Sequence, residues 1–323
     1  MISRIRPYTK YIALFLTIIL VALLLTQVSS DTIISIISHI NPVYLLAGFM
    51  LYASSYFFRA WRFHILLNRE VSIKDLFNIV CVHNATNNLL PARTGELSYI
   101  YLLKKINNKT VGEGIATLVV SRIFDFIALI ILFFFAIVLI TDIPKIIMDA
   151  LWIIAFFGIF LLIVLVILLT RGKKFVIQIQ KTAERLHCEH NPGVHFFIRK
   201  GFETIESLDR IQIKESISAL MISSLLIWGV NYFVVYLLMM GMNFQLSIFI
   251  VILGGTFILL TTVLPIQGVA GFGTTETIWT LVFVPLGLSM DQAIVSGFCY
   301  HIVIILYFTI LGIYGWITVR VKN

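Results

Sequence analysis

The sequence predicts an all-α polytopic membrane protein, because of its composition and the length of its apolar runs. Of its 323 residues, 59% are hydrophobic and 12% are charged, and the mean hydropathy is +0.99. Soluble domains typically contain about 25% charged residues, so a soluble enzyme is excluded. The apolar residues form runs close to the ~20 residues that a membrane-spanning helix needs. This favours a single membrane domain over residues 1–323.

Six of the apolar runs are predicted to cross the membrane fully. They cover residues 11–28, 43–67, 116–140, 151–170, 217–240 and 292–318. The first run is too long for the apolar part of a signal peptide, and no small-residue cleavage site stands out. We therefore expect it to be retained as a span.

Two further stretches, 76–103 and 247–288, are apolar but interrupted. The first contains Pro91, and the second contains Pro265 and several glycines. Irregular backbone is tolerated at membrane depth only where protein or a water-filled cavity covers it. We therefore expect each stretch to form a broken or re-entrant helical hairpin. The alternative is eight crossings, because a helix over residues 247–264 would extend about 27 Å.

The charge distribution predicts the orientation. With six crossings, and with each hairpin returning to its own side, Lys145 is the only Lys or Arg in the predicted extracellular segments, whereas 19 fall in the predicted cytoplasmic segments. Short cytoplasmic loops are enriched in Lys and Arg. Both termini are therefore expected in the cytoplasm, with the protein in the cell membrane. The net charge of +8 is mainly an orientation signal.

The two interrupted stretches resemble each other. Each contains two adjacent polar residues, then Leu-Pro, then Thr-x-Glu. The positions are Asn87-Asn88, Leu90-Pro91 and Thr94 to Glu96 in the first stretch, and Thr261-Thr262, Leu264-Pro265 and Thr274 to Glu276 in the second. In the predicted topology the hairpins enter from opposite sides, which predicts an inverted repeat. Its halves would be residues 1–140 and 216–323, joined through a cytoplasmic amphipathic linker at 171–215. The alternative is a chance match of two common motifs.

Ionisable side chains in or at the edge of the apolar segments are the strongest functional signal. They are Arg59, Arg62, Arg93, Arg122, Glu96, Asp125 and Glu276. A charge at a helix centre costs at least about 2.5 kcal/mol on insertion scales, so such residues usually mark a pathway or a binding site. Arg122 and Asp125 are three residues apart and are expected to pair. Arg62 is expected to snorkel to the interface. Arg93 is expected to bind a phosphate or to pair with Glu96.

The glycine-rich turn of the second stretch completes the predicted binding site. Backbone N–H groups around Gly271 and Gly273 would form an anion nest. Thr274 is expected to cap the next half-helix, with Glu276 in its first turn. The predicted substrate-binding residues are Arg59, Asn87, Asn88, Arg93, Glu96, Arg122, Asp125, Gly271, Gly273, Thr274 and Glu276.

Four blocks of the chain resemble a known family. They are RAWRFHILL at 59–67, NNLLPARTGE at 87–96, SRIFD at 121–125 and LPIQGVAGFGTTE at 264–276. They are similar to signature blocks of the lysylphosphatidylglycerol synthase transmembrane family, also called flippase-like or uncharacterised family 0104. The resemblance implies the lipid-translocating part alone, without the synthase domain of larger relatives. Where that family commonly has Glu-Arg, this chain has Ser121-Arg122, which makes Asp125 the expected partner of Arg122.

No cofactor and no metal site are expected. The cluster of His187, Cys188 and His190, with His195 nearby, does not match the ligand spacing of zinc sites. His83 and His301 lie in apolar surroundings, where a packing role is expected and a proton relay is the alternative.

The leading hypothesis is a translocase for a membrane lipid or a lipid-linked carrier, which binds an anionic or phosphate-bearing headgroup near the bilayer midplane. The first alternative is an integral membrane enzyme acting on a lipid phosphate or glycan, with Glu96 or Glu276 as its base. The second is an accessory subunit of a partner synthase or glycosyltransferase. No nucleic-acid partner is expected.

Overall fold

The computed structural model is mostly helical in the part of the chain that it describes. It describes residues 40–89, 95–140, 143–185, 191–211, 213–261 and 269–321, with short pieces between residues 19 and 38. Within these ranges there is no β-strand. This agrees with the all-α fold class predicted from the composition.

The helices are numbered in chain order. They are α1 (Pro42–Leu66), α2 (Ile73–Leu89), α3 (Glu96–Asn107), α4 (Val111–Leu139), α5 (Lys145–Arg185), α6 (Pro192–Arg210), α7 (Ile213–Gly241), α8 (Ile248–Thr261), α9 (Thr274–Phe283) and α10 (Met290–Val321). A short 3₁₀ turn, Val269–Gly271, precedes α9.

Polar residues begin two of the long helices. The Asn41 side chain accepts a hydrogen bond from the Val43 N–H at 3.0 Å, and Pro42 follows as the first helical residue of α1. At the start of α4, the Thr110 hydroxyl accepts from the Glu113 N–H at 3.1 Å, while the Glu113 carboxylate accepts from the Thr110 N–H at 2.7 Å. These caps satisfy N–H groups that have no partner within the helix.

Three described helices are long and apolar enough to cross a membrane: Val111–Leu139, Glu215–Gly241 and Met290–Val321. They coincide with the predicted spans at 116–140, 217–240 and 292–318. Helices α1 and α5 cover the predicted spans at 43–67 and 151–170, whose crossings stay predictions. The predicted span at 11–28 lies largely outside the described residues. The chain is thus a polytopic membrane protein.

Both interrupted stretches contain two short helices. Helices α2 and α8 have 17 and 14 residues, so they extend about 25 and 21 Å. Helices α3 and α9 have 12 and 10 residues, or about 18 and 15 Å. Each is shorter than the ~30 Å hydrocarbon core. The turns at 90–94 and 262–268, with Pro91 and Pro265, lie outside the described residues.

Small residues allow α2 and α10 to approach closely. A Cβ atom added to Gly312 would lie 2.4 Å from the Cβ of Ala85, and one added to Gly315 would lie 2.6 Å from the Cβ of Cys81. Such interfaces are typical of packed membrane helices, because van der Waals contact replaces the hydrophobic effect there. Helix α1 packs most extensively against α7, while α2 packs on α10 and α8 on α4.

The predicted linker at 171–215 is divided between several helices. Helix α5 has 41 residues, about 62 Å, and continues through residue 170 to Arg185. Helix α6 has the expected polar and apolar faces, but part of it contacts protein: a Cβ at Gly172 would lie 3.6 Å from Ile205. Its placement on the inner leaflet stays a prediction. The cluster His187, Cys188 and His190 lies outside the described residues.

Candidate functional site

A buried ion pair joins α1 to α4. Arg62 Nη1 lies 2.5 Å from Asp125 Oδ1, and Arg62 Nη2 lies 3.2 Å from Asp125 Oδ2. The two side chains are only 2% and 5% exposed. The expectation that Arg62 snorkels to the interface is therefore wrong, because its guanidinium pairs with a carboxylate on another helix within the bundle.

Helix α7 completes this network with two residues that sequence reasoning missed. Arg62 Nη1 donates to the Ser224 hydroxyl at 2.8 Å, and the Trp228 indole N–H donates to Asp125 Oδ1 at 2.8 Å. Ser224 and Trp228 are four residues apart on one helix face. A buried Trp usually finds a partner for its N–H, which is the signal that could have indicated this position.

Arg122 pairs with Glu96 and not with Asp125. Its Nη2 lies 2.8 Å from Glu96 Oε1, and the two side chains are 29% and 34% exposed. The expected pairing within α4 is wrong because Arg62 already takes both oxygens of Asp125. Arg93, the expected partner of Glu96, lies outside the described residues.

Arg59 has no carboxylate within ion-pair distance in the described part of the chain. Its guanidinium carbon lies 5.6 Å from the centre of the Trp228 ring, a cation–π distance. Electrostatic interactions connect it with Asp125, Arg62 and Arg122. Because Asp125 and Glu96 each have an arginine of their own, the described residues Arg59, Arg62, Arg122, Asp125 and Glu96 together carry one surplus positive charge, at Arg59.

The first hairpin brings polar side chains to the end of α2. The Asn88 amide donates to the Asn84 carbonyl at 2.8 Å and is exposed. Asn87 Oδ1 is buried and has no hydrogen-bond partner among the described residues. The chain returns close by, since a Cβ at Gly95 would lie 2.2 Å from the Asn87 nitrogen. Gly95 therefore permits the two halves of the hairpin to touch.

The second hairpin has a left-handed turn held by its own carboxylate. The backbone φ angles of Ala270, Gly271 and Gly273 are +51°, +82° and +80°. Glu276 is fully buried, and its Oε2 accepts from the Gly273 N–H at 2.7 Å. The predicted anion nest therefore already gives one N–H to a carboxylate of the protein. The predicted cap at Thr274 is wrong: Gly273 is the N-cap, and the Thr274 hydroxyl donates to the Gly271 carbonyl at 2.9 Å.

His301, on α10, contacts both ends of this turn. Its Nδ1 lies 2.6 Å from Glu276 Oε1, and its Nε2 lies 3.1 Å from the Ala270 carbonyl oxygen. The Phe272 ring packs on the imidazole with 4.7 Å between the ring centres. His301 is thus a hydrogen-bonded group rather than an inert packing residue.

Apart from Asn87 and Asn88 at the end of α2, the predicted site residues that the structure describes form two groups, the first of which also contains Arg62. Arg59, Arg62, Arg122, Asp125 and Glu96 belong to an arginine cluster between α1, α3, α4 and α7. Gly271, Gly273, Thr274 and Glu276 belong to the second hairpin with His301. Helix α2 contacts the Val269–Gly271 turn, so the two hairpins adjoin. Among the described residues, no group of three or more His, Cys, Asp or Glu side chains could hold a metal ion.

Comparison with known proteins identifies relatives of this membrane chain. The model of the Lysylphosphatidylglycerol synthase TM region matches residues 11–312. The UPF0104 membrane protein MJ1595 of Methanocaldococcus jannaschii is 22% identical over 331 residues, 96% of this chain and 94% of that protein. The UPF0104 membrane protein MJ1078 of the same organism is 26% identical over 193 residues, 59% of this chain and 75% of that protein.

A third relative is larger. The protein named Glycosyltransferase AglD, from Haloferax volcanii, is 27% identical over 128 residues, which is 38% of this chain and 20% of that protein. The similarity thus spans about a fifth of the glycosyltransferase. No solved structure matches the chain. Since the family model covers nearly its whole length, the chain belongs to the lysylphosphatidylglycerol synthase transmembrane family.

Proposed function

We propose that the protein translocates a membrane lipid or a lipid-linked carrier, and that it binds an anionic headgroup at the arginine cluster. The observation that carries this proposal is the surplus charge at Arg59. A buried or half-buried cation without a carboxylate partner is costly in a membrane. A phosphate or another anionic headgroup would supply the missing charge, and the planar guanidinium suits such a ligand.

The depth of the cluster supports a site near the midplane. Glu96 begins the 12-residue α3, so it lies about 18 Å from the loop that joins α3 to α4. Arg122 follows Val111, the first residue of α4, by 11 positions, or about 16 Å. Both distances are close to half of the ~30 Å hydrocarbon thickness. A headgroup bound here would be accessible to either leaflet after a modest rearrangement.

Helix packing supports the inverted repeat and six crossings. Most contacts of the first half have a counterpart in the second: α2 with α10 corresponds to α8 with α4, and α3 with α4 corresponds to α9 with α10. Helices α1 and α7 form the central pair. In this arrangement both termini are cytoplasmic, and rocking of one half against the other would expose the cluster to each leaflet in turn.

The test is exchange of fluorescent lipids between leaflets in proteoliposomes, with phosphatidylglycerol and phosphatidylcholine as the two probes. The parent should accelerate exchange of the anionic probe, and Arg59→Met should lower this rate by about tenfold or more. Arg320→Met is the matched control, because Arg320 stacks on Trp316 near the end of α10, away from the cluster. A parent that exchanges neither probe would overturn the proposal.

A second candidate role is supported by the match to Glycosyltransferase AglD. In this role the chain is an accessory to a glycosyltransferase or synthase and presents a lipid-linked sugar to it. The arginine cluster would then bind the carrier phosphate. Co-purification of a partner enzyme, together with an absence of leaflet exchange by the chain alone, would favour this role. A catalytic role for Glu276 is less compatible with its complete burial and its two hydrogen bonds.

A further inference from the structure

The hydrogen bonds of His301 fix where its protons are. The Ala270 carbonyl oxygen can only accept, so Nε2, at 3.1 Å, must carry a hydrogen. In a neutral imidazole with Nε2 protonated, Nδ1 is an acceptor. The contact of 2.6 Å between Nδ1 and Glu276 Oε1 therefore needs one more proton, on either the ring or the carboxyl group.

Both arrangements contain the same single proton. It makes either an imidazolium with a carboxylate or a neutral imidazole with a carboxylic acid, and the pair is neutral overall in each case. Without that proton, the neutral ring has a single N–H for two acceptors, Glu276 Oε1 and the Ala270 carbonyl oxygen. Loss of the proton must therefore break one of the two contacts, whichever ring nitrogen keeps its hydrogen.

Loss of either contact would loosen the turn at the tip of the second hairpin. His301 holds Ala270 through its carbonyl, and Glu276 holds Gly273 through its N–H. Ala270 has a φ of +51°, a conformation that residues with a Cβ rarely adopt. The turn therefore depends on these two bonds, and it is the segment that contacts α2 of the first hairpin.

The first half has a corresponding pair, in which the basic residue is an arginine instead of a histidine. Glu96 and Arg122 are separated by 26 residues, and Glu276 and His301 by 25. In each half, a carboxylate in the first turn of the outgoing short helix pairs with a base on the following long helix. Arginine is always charged, whereas histidine gains and loses its proton near neutral pH. The second pair is therefore the one that can respond to protons.

We propose that Glu276 and His301 form a proton-binding site that docks the Val269–Gly273 turn when the proton is bound and frees the turn when the proton leaves to water. The exposed edge of His301, whose side chain is 10% exposed, is the exit route. The role of this proton-binding site in translocation, as the site of a coupling proton, rests on the proposed function. The existence of the site does not depend on that function.

Other titratable groups lie on the helices that pack against α10. Away from the helix ends, those in the described ranges are Cys81 and His83 on α2, Tyr52, Tyr56, Arg59 and Arg62 on α1, and Tyr232 and Tyr236 on α7. On α10 itself the neighbours are Cys299, Tyr300 and Tyr307. Of the described residues, Glu276 is the ionisable group that contacts the His301 ring.

The test is the pH dependence of water access to the turn. A Thr275→Cys probe is placed beside Gly271, in a chain where Cys188→Ser and Cys299→Ser remove other reactive thiols. Its rate of reaction with a membrane-impermeant maleimide is measured in proteoliposomes from about pH 5.5 to about pH 8.5. Each rate is divided by that of the same probe in the Glu276→Gln variant, which removes the intrinsic pH dependence of the thiol.

Glu276→Gln is a suitable reference because its amide imitates the protonated carboxyl group. Its NH₂ can donate to Nδ1, and its oxygen can accept from the Gly273 N–H, so the turn stays docked without a mobile proton. His301→Arg, which reproduces the charge type of Arg122, is a second reference that should also be independent of pH. His64→Gln is the control histidine variant, since His64 bonds the Val71 carbonyl outside this turn.

The normalised rate of the parent should rise about tenfold over this range, as expected for release of one proton. His64→Gln should show the same rise. A flat parent ratio overturns the proton site, even if lipid exchange is normal. A rising ratio in a parent that exchanges no lipid supports the proton site and overturns the translocase. Where both activities are present, Glu276→Gln should also remove the pH dependence of lipid exchange.

Discussion

Arg62 and Asp125, 63 residues apart in the chain, form a two-point ion pair with contacts of 2.5 and 3.2 Å at the junction of α1 and α4. Ser224 and Trp228 bring α7 to the same pair. Three helices thus share one polar junction. Because removal of one partner leaves the other charge buried and unpaired, replacing both residues together is expected to cost less stability than replacing one.

Asp125→Ala is expected to destabilise the protein by about 3 to 5 kcal/mol, because it leaves Arg62 buried without a partner. Thermal unfolding in detergent, followed by size-exclusion chromatography, measures the effect. The double variant Arg62→Met with Asp125→Leu should recover most of the loss. Glu206→Ala is the control, since its pair with Arg210 is about two-thirds exposed and should contribute less than about 1 kcal/mol. Equal losses for Asp125→Ala and Glu206→Ala would contradict the buried pair.

Gly315→Ala should destabilise the contact between α2 and α10. The added Cβ would lie 2.6 Å from the Cβ of Cys81 and 2.8 Å from the Asn78 carbonyl oxygen, and overpacking of this kind costs about 1 to 3 kcal/mol. Gly229→Ala, on α7, is the matched control because a Cβ there meets nothing within 4 Å. It should be neutral or slightly stabilising. The same thermal assay distinguishes the two, and identical behaviour would exclude close packing at Gly315.

Lys109, in the loop before α4, should make stability sensitive to alkaline pH. Burial lowers its pKa, but hydrogen bonds to Glu70 and Glu113 outweigh this and raise the pKa overall. A raised pKa in the folded state stabilises the fold at every pH below the pKa of the unfolded chain, about 10.4. This contribution is lost as the pH rises through the pKa of the folded state. Lys109→Met should therefore lower the unfolding temperature near neutral pH and flatten its decline above about pH 10. The exposed Lys174→Met should do neither.

The Glu96–Arg122 pair should couple the short helix α3 to α4 during lipid exchange. Arg122→Gln leaves Glu96 partly buried without its partner, so exchange of the anionic probe should fall by about tenfold. The double variant Glu96→Gln with Arg122→Gln removes both charges. Its loss of exchange rate should be smaller than the sum of the losses of the two single variants. Leaflet exchange of phosphatidylglycerol measures each variant. Strictly additive losses would indicate that the two residues act separately.

The sequence predicted the fold class and the positions that carry charge, but not how the charges pair. Apolar runs and ionisable residues are visible directly, since each depends on local composition. Spacing, however, can only suggest partners within one helix, as with Arg122 and Asp125. The true partner of Asp125 is on α1, and its placement depends on how α1 packs. Ser224 and Trp228 were missed for the same reason.

The second hairpin was predicted in outline and differs in detail. Its glycines indicated an irregular turn, and Glu276 was expected in the first helical turn. The sequence could not show that Gly273 is the cap, because glycine has no side chain that marks it as one. Nor could it place His301 against Glu276, since the two residues are 25 positions apart and lie on separate helices.

The sequence distance between Arg62 and Asp125 also has a consequence for synthesis. Ribosomes add about 5 to 20 residues each second. Arg62 on α1 is therefore made several seconds before Asp125, whose carboxylate neutralises it. Ser224 and Trp228 follow still later. During that interval α1 carries two uncompensated guanidinium groups, Arg59 and Arg62. We therefore expect α1 to enter the lipid together with α4, which supplies the carboxylate partner of Arg62.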